Sequence, residues 1–442
     1  MKDHEVKAYM ESLSAGAIVN PGREEMQLEA LQDLLVRMGN PEQGLRYVHI
    51  AGTNGKGSVL AYVSTVLQEA GYRVGRYFSP ALRDPWEKIQ VQQKPIAKTA
   101  IREGIAAIAE CTQQMAAEGK RLPTQFEVET ALAFWYFRKK GCDIVVLECG
   151  LGGRTDATNV IPAPEVCVFA PIAMDHMAIL GATVEAIARV KAGIIKPGAD
   201  VVSAPQQMPE AGRVLEQAAK AKNVSLTYAE AVSHVRYGLK KQTLDTKGYR
   251  KLEITMAGVY QPENAAVAVT VLDVLQKRGF RIPEEKLRSG LRKTVWPGRF
   301  EILKEKPYFI LDGAHNKAAA EVLRRSLDIY FPEKSFVMIL GVLRDKAYED
   351  VLKCLLDKAV QVITLTPPEN VRALSAIELA EAVQEYDVSV TCADSVEEAA
   401  ELAELLSGKQ FPILATGSLS WLGRLEEIIN LKGQVVKKYH GR

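Results

Sequence analysis

From residue 46 onward, short β-rich runs alternate with helical stretches almost to the end of the chain. Arg46-Tyr-Val-His-Ile-Ala51 reads as a buried strand; after a glycine-rich loop, residues 58–70 read as a helix stopped by Gly71. Asp143-Ile-Val-Val-Leu-Glu148, Val166-Cys-Val-Phe-Ala170 and the run 199–204 read as further buried strands. Such β/α alternation predicts a mainly parallel sheet with helices on both faces. The segment 224–256 reads differently. Val235, Tyr237 and Leu239, then Leu252, Ile254 and Met256, alternate along it, which predicts antiparallel strands at the edge of this unit.

The pattern breaks at Trp296-Pro297-Gly298-Arg299-Phe300, after helices over 263–278 and 284–292. It then restarts with strands at 308–311, 336–340, 360–365, 388–392 and 412–416. Helices over 317–329, 346–356, 375–385, 395–406 and from 420 lie between and after them. The expectation is two α/β units, 1–296 and 300–442, joined by a linker at 296–300. A chain of 442 residues exceeds what one hydrophobic core usually serves, which agrees with two units.

Composition removes several function classes. The charged fraction of 25% is that of an ordinary globular protein, and a net charge of +2 without a basic, aromatic-interleaved run does not suggest nucleic acid. No stretch of about 18 apolar residues suggests a membrane span. The start, Met1-Lys2-Asp3-His4-Glu5, leads into a charged amphipathic segment rather than a signal peptide. The six cysteines are scattered without a C-x-x-C pair, so the plain reading is a cytoplasmic protein.

Between the first strand and its helix stands Gly52-Thr53-Asn54-Gly55-Lys56-Gly57-Ser58. Glycines let backbone N–H groups turn inward around phosphate oxygens, and the helix N-terminus adds partial positive charge. Lys56 would neutralise phosphate charge and Ser58 would reach Mg²⁺. The strict G-x-x-x-x-G-K-[ST] pattern is not met, because Gly57 separates Lys56 from Ser58. Phosphate binding by ATP is nevertheless the expected function of the loop, against an ordinary glycine-rich turn.

Other residues have two readings each. Glu148 ends an apolar strand beside this loop, where a carboxylate holds Mg²⁺ or simply faces water. His176 follows a neighbouring strand and is either structural or a participant in metal or phosphate chemistry. Glu127 closes a capping box with Thr124 or meets substrate. Lys191 has apolar neighbours: it either snorkels or is desolvated, with a neutral amine able to form a carbamate with CO₂. Asp312, in Asp312-Gly313-Ala314-His315-Asn316, is a turn residue or a ribose or cation partner, and Arg299 is a linker residue or a phosphate ligand.

These segments, in this order, resemble the folylpolyglutamate synthase/dihydrofolate synthase family of the Mur ligase superfamily. The resemblance is carried by 52–58, Ser79-Pro80, Phe126-Glu127, the run from Glu148 to Asn159, Met174-Asp175-His176 and 191–198. Gln261-x-x-Asn264, 296–301, 312–316, Gly341-Val342-Leu343-x-Asp345-Lys346, Arg372-Ala373-Leu374 and Gly417-Ser418-Leu419 continue it. It implies a P-loop ATPase domain followed by a Rossmann-like α/β domain. It implies a monomeric ligase that joins L-glutamate to a folate or to dihydropteroate through an acyl phosphate, with ATP and Mg²⁺. By the same resemblance, Thr53 to Ser58, Asn264, Arg299 and Asp312 would contact ATP. Ser58, Ser79, Glu148, His176 and a carbamylated Lys191 would hold the metal. Catalysis would fall to Lys56, Lys191, His176 and Glu148. Gln125, Phe126, Glu127, Arg154, Asp156 and the loop after Ile18 would face the folate, and His315 and Ser418 the glutamate. The chain departs from the usual pattern at Ala81, Trp86, Val190, Tyr260 and Lys317. Two alternatives remain: a Mur-type ligase with another carboxylate acceptor, and a non-catalytic ATP-binding paralogue.

Overall fold

The structure, a computed structural model, describes residues 1–13, 28–205, 207–408 and 410–440, without the side chains of 432–440. The loop after Ile18, expected to face the pterin, lies outside the described residues. Two α/β layers are present. The first is built on eight strands: β1 (Tyr47–Ala51), β2 (Val74–Tyr77), β3 (Ile89–Val91), β4 (Lys94–Pro95), β5 (Ile144–Glu148), β6 (Val166–Phe169), β7 (Asp200–Ser203) and β8 (Leu226–Tyr228). Their order is β4-β3-β2-β5-β1-β6-β7-β8, and every neighbouring pair is parallel except β2–β3 and β3–β4.

β1 lies at the middle, with Ile50 opposite both Glu148 of β5 and Val168 of β6. The C-terminal ends of these three strands are therefore level, and the loops that follow them emerge side by side. In open parallel sheets this end, where strand order reverses, is where ligands bind. Alternate side chains of β1 feed different cores, as the two-residue period requires. Val48 and Ile50 pack with helices Lys56–Glu69 and Gln261–Lys277, while Tyr47 packs with helices Glu29–Arg37, Lys98–Ala117 and Gln125–Lys139.

The segment 224–256 departs from the expectation. β8 joins the main sheet in parallel with β7, because helix Pro209–Ala221 supplies the crossover that a parallel strand needs. β9 (Ser233–Arg236), β10 (Gln242–Thr246) and β11 (Tyr249–Ile254) form a separate antiparallel sheet. Its Leu244, Leu252 and Ile254 pack in the same core as Val267 and Val271. Tyr237 and Leu239 fall beyond β9.

After helix Glu284–Lys293 the chain enters a second sheet of β12 (Glu301–Glu305), β13 (Tyr308–Leu311), β14 (Phe336–Leu340), β15 (Ala359–Leu365), β16 (Val390–Ala393) and β17 (Ile413–Thr416). The order is β12-β13-β17-β14-β15-β16, parallel apart from the short edge strand β12, which the apolar pattern did not reveal. Helices on both faces complete this layer, and the last, Leu419–His440, starts at the cleft between the two sheets. No helix among the described residues is long and apolar enough to cross a membrane.

Candidate active site

The loop after β1 is fixed by close packing. Gly55, at φ +88°, precedes helix Lys56–Glu69, and a Cβ there would come 2.6 Å from Asn264 Oδ1. A Cβ on Gly52 would meet Ala170 at 2.8 Å, and one on Gly57 the Trp296 indole at 2.6 Å. Thr53 Oγ1 donates to Ala173 O at 3.0 Å, tying the loop to the segment after β6. Gln261 donates to Ser58 Oγ at 3.2 Å and is itself bonded by Asn264. The loop thus borders a cavity of 680 Å³ walled by both sheets' loops.

Cations and carboxylates converge there. Lys56 Nζ lies 3.5 Å from Glu148 Oε1 and donates to Thr53 O at 3.3 Å. Burial pushes the Glu148 carboxyl up, while Lys56 and Arg299 pull it down. Lys191, only 5% exposed, donates to Gly52 O at 2.8 Å. Burial, and then the Lys56 charge, lower its ammonium to about 7. An amine of this kind has a substantial neutral fraction at neutral pH, so the desolvated reading of Lys191 prevails over the snorkelling one.

The second domain reaches the same cavity through Asp175. Lys346 Nζ donates to Asp175 Oδ1 at 2.7 Å and lies 2.9 Å from His176 Nε2. Asn316 donates to Asp175 Oδ2 at 3.1 Å, and His315 Nε2 stands 3.6 Å from the same oxygen. Asn316 also exchanges two amide hydrogen bonds, each 3.1 Å, with Asn54 of the loop after β1. Burial alone would raise the Asp175 carboxyl, but His315, Lys346 and His176 together hold it well below the ordinary carboxylate range. Burial and then Lys346 lower His176 to about 4, so its ring is neutral near pH 7. His176, at φ +50°, occupies a left-handed conformation just before helix Met177–Leu180.

A Mur ligase middle domain matches residues 50–272, and a Mur ligase glutamate ligase domain matches residues 298–419. The dihydrofolate synthase/folylpolyglutamate synthase of Bacillus subtilis (strain 168) is 34% identical over 422 residues, spanning 92% of this chain and 95% of that protein. The chain belongs to the folylpolyglutamate synthase/dihydrofolate synthase family. Folylpolyglutamate synthase of Mycobacterium tuberculosis, complexed with ADP and AMPPCP, has the same fold at a TM-score of 0.86 and 29% identity. That match covers 96% of this chain and 98% of the other. A folylpolyglutamate synthase–AMPPCP–folate complex matches at a TM-score of 0.83 and 30% identity, over 96% and 98% of the two chains.

In this member of the folylpolyglutamate synthase/dihydrofolate synthase family, the expected residues divide into two groups. Thr53 to Ser58, Ser79, Glu148, His176, Lys191, Asn264, Arg299, Asp312, His315 and Ser418 all border the cavity. Gln125, Phe126, Glu127, Arg154 and Asp156 do not line it. Glu127 accepts from Thr124 N at 2.7 Å and pairs with Arg121, so the capping box accounts for its carboxylate. Asp156 is buried and accepts from Leu151 N, Thr158 N and Thr158 Oγ1, bracing the loop after β5. Phe126 stands directly behind Gly150, a cavity residue whose Cβ would lie 2.6 Å from the ring. Gln125 bonds to Glu129 at 3.3 Å, and Arg154 is exposed.

Asp312 has partners for both oxygens within the protein: Tyr260 OH at 2.7 Å, Phe300 N at 2.9 Å and Ala314 N at 2.9 Å. Tyr260, one of the departures from the usual pattern, is thus built into the wall. Asp175, Asn316 and Lys346 were not singled out from the sequence for a role. Their only sequence signal is membership of the motifs 174–176, 312–316 and 341–346, since their partners lie far along the chain.

Proposed function

We propose that this protein is an ATP-dependent ligase that forms an amide between a folate carboxylate and the amine of L-glutamate, with dihydropteroate as a further acceptor. The observation that carries the reading is the meeting of Lys56, Arg299, Lys191 and Glu148 in one cavity closed by both domains. The acceptor carboxylate oxygen attacks the γ-phosphorus of ATP, the bond to the bridging oxygen breaks, and ADP leaves. The glutamate nitrogen then attacks the acyl carbon, loses a proton, and expels phosphate. Two anions must approach in the first step, so Lys56 and Arg299 are placed to offset their repulsion and to stabilise charge developing on the phosphoryl oxygens. Closing the domains over the cavity excludes water from the acyl phosphate. The units 1–296 and 300–442, joined at 296–300, would act as one cytoplasmic monomer.

The donor chemistry suits a hard divalent cation: hydroxyls from Ser58 and Ser79 and a buried carboxylate from Glu148, with His176 beside them. Among the described residues no group of three His, Cys, Asp or Glu side chains is arranged to hold a metal ion by itself, and a further anion would complete an oxygen-rich set. A carbamate on Lys191 supplies one: the neutral amine adds to CO₂ and releases a proton. Mg²⁺ bound there would contribute charge neutralisation on the phosphates. We assign glutamate to His315 and Ser418, and the acceptor's ring system to the side of Gly150 backed by Phe126, with Gln125 and Arg154 as its outer contacts.

The test is ADP release with ATP, Mg²⁺ and glutamate, comparing tetrahydrofolate, dihydropteroate and no acceptor, with product masses. Glutamylated products from both acceptors establish the bifunctional reading, and turnover with tetrahydrofolate alone narrows it to chain extension. ATP binding without acceptor-dependent ADP release would overturn the reading. Lys56→Ala should abolish turnover; full activity in that variant would sink the role given to the loop.

A further inference from the structure

The connection between β2 and β3 belongs to the first domain by sequence and to the second by packing. Ser79, Pro80 and Ala81 line the cavity, and the next two residues are held by helix Leu419–His440. Arg83 Nε donates to Glu426 Oε2 at 2.8 Å, and its Nη2 bonds the other carboxylate oxygen, a two-pronged pair with Glu426 almost fully buried. One turn before Glu426, Gly423 faces the Leu82 carbonyl so closely that a Cβ would come 1.8 Å from its oxygen. The Leu82 side chain packs in the core that contains Leu419 and Leu422. On the loop's own side, Glu87 accepts from the backbone N–H of Leu82 at 2.5 Å and of Arg83 at 3.1 Å. Beneath the pair, burial and Glu426 raise the Glu301 carboxyl, while Gly298 N bonds it at 2.7 Å.

The same helix therefore does two things. Its first residues, with Ser418, form one wall of the cavity. One to two turns later it grips the loop that forms another wall. We propose that Arg83 and Glu426, with the Leu82–Gly423 contact, are positioning residues that set the Ser79–Ala81 wall only when the two domains are closed. The pair touches neither the cavity nor any group placed at the reacting atoms, so its effect passes through the loop. A bidentate Arg–carboxylate pair suits this task because its geometry is directional as well as attractive. The kinetic part of the proposal rests on the ligase reading; the structural part does not.

The experiment compares the full-length protein with Arg83→Gln, Glu426→Gln, the double variant and Gly423→Ala. Three quantities are read: hydrogen–deuterium exchange of peptide 79–88, kcat and KM for ATP, and thermal melting. Arg83→Gln and Glu426→Gln should each speed exchange in that peptide and lower kcat by about tenfold, with melting shifted by no more than a few degrees. Gly423→Ala, whose Cβ meets backbone, should speed exchange and also lower the melting temperature further. The double variant should be no worse than either single one, the mark of two groups acting as a pair. Arg83→Lys, which keeps the charge but not the fork, should recover only part of kcat. Unchanged exchange in both single variants, or losses that multiply in the double, would overturn the proposal. Absence of turnover in the unaltered protein would sink the ligase reading instead, and exchange would still judge the clasp.

Discussion

Gly55 combines φ of +88° with a built Cβ only 2.6 Å from Asn264 Oδ1, so Gly55→Ala meets both backbone strain and a clash. The left-handed conformation alone costs a residue with a side chain about 1–2 kcal/mol. Titration with a fluorescent ATP analogue should show affinity weakened by about tenfold or more, since that cost falls on the loop proposed to wrap the phosphates. Unaltered affinity would mean the loop has room that the contact denies. His49 carries a second prediction at this scale. It is fully buried beside Thr158 (Nε2 to Oγ1 2.8 Å) and Cys149 (3.1 Å), and burial, then Lys196, lower its pKa to about 3. Unfolded, it titrates near 6.5. Between those values the unfolded chain holds a proton that the folded chain refuses. This contribution to stability is fully present above about pH 6.5 and is lost as pH falls, by about 1.4 kcal/mol per pH unit. Urea unfolding from pH 7 to 4.5 should give a flatter slope for His49→Gln; an identical slope would show that His49 does not titrate abnormally.

Helix Gln125–Lys139 opens on a local motif whose acid carries two readings. Thr124 and Glu127 complete the capping box, and Arg121 adds to the Glu127 carboxylate, all within seven residues of sequence. Glu127→Ala should lower stability by about 1 kcal/mol and leave KM for the folate acceptor unchanged. A raised KM with unchanged stability would instead place Glu127 at the substrate. Elements of this local kind were legible: β1, β5 and β6 are unbroken apolar runs because both their faces are covered, and the loop after β1 carries its glycines in order. Helix Pro209–Ala221 escaped because its buried stripe is largely Ala211, Gly212 and Ala219, residues that mark a periodicity weakly. β12 escaped because its residues, Glu301 to Glu305, are half-buried at best and charged at both ends. β9 to β11 alternate as antiparallel strands should, yet alternation does not say to which sheet a strand belongs.

At the scale of the whole molecule, the cavity depends on contacts between residues that sequence spacing cannot connect. Asn54 and Asn316 are 262 positions apart, and Lys346 lies 171 from Asp175. Asn316 has two functions that one substitution can separate. Its Oδ1 caps helix Lys317–Tyr330 by accepting from Ala319 N at 2.9 Å, and its amide reaches across to Asn54 and Asp175. Serine is as good an N-cap as asparagine but is too short to make the second set of bonds. Asn316→Ser should therefore melt within a few degrees of the unaltered protein. It should lose kcat by about tenfold, because the loop after β1 loses its direct amide bonds to the domain that would bring glutamate. X-ray scattering with an ATP analogue should also show a larger radius for this variant, the closed arrangement having lost its shared hydrogen bonds. Asn316→Ala would mix the two effects, since it also removes the cap. If the serine variant keeps full kcat, the amide pair is an incidental contact, and closure rests on the other contacts between the two units, Asp175 with Lys346 and Arg83 with Glu426 among them.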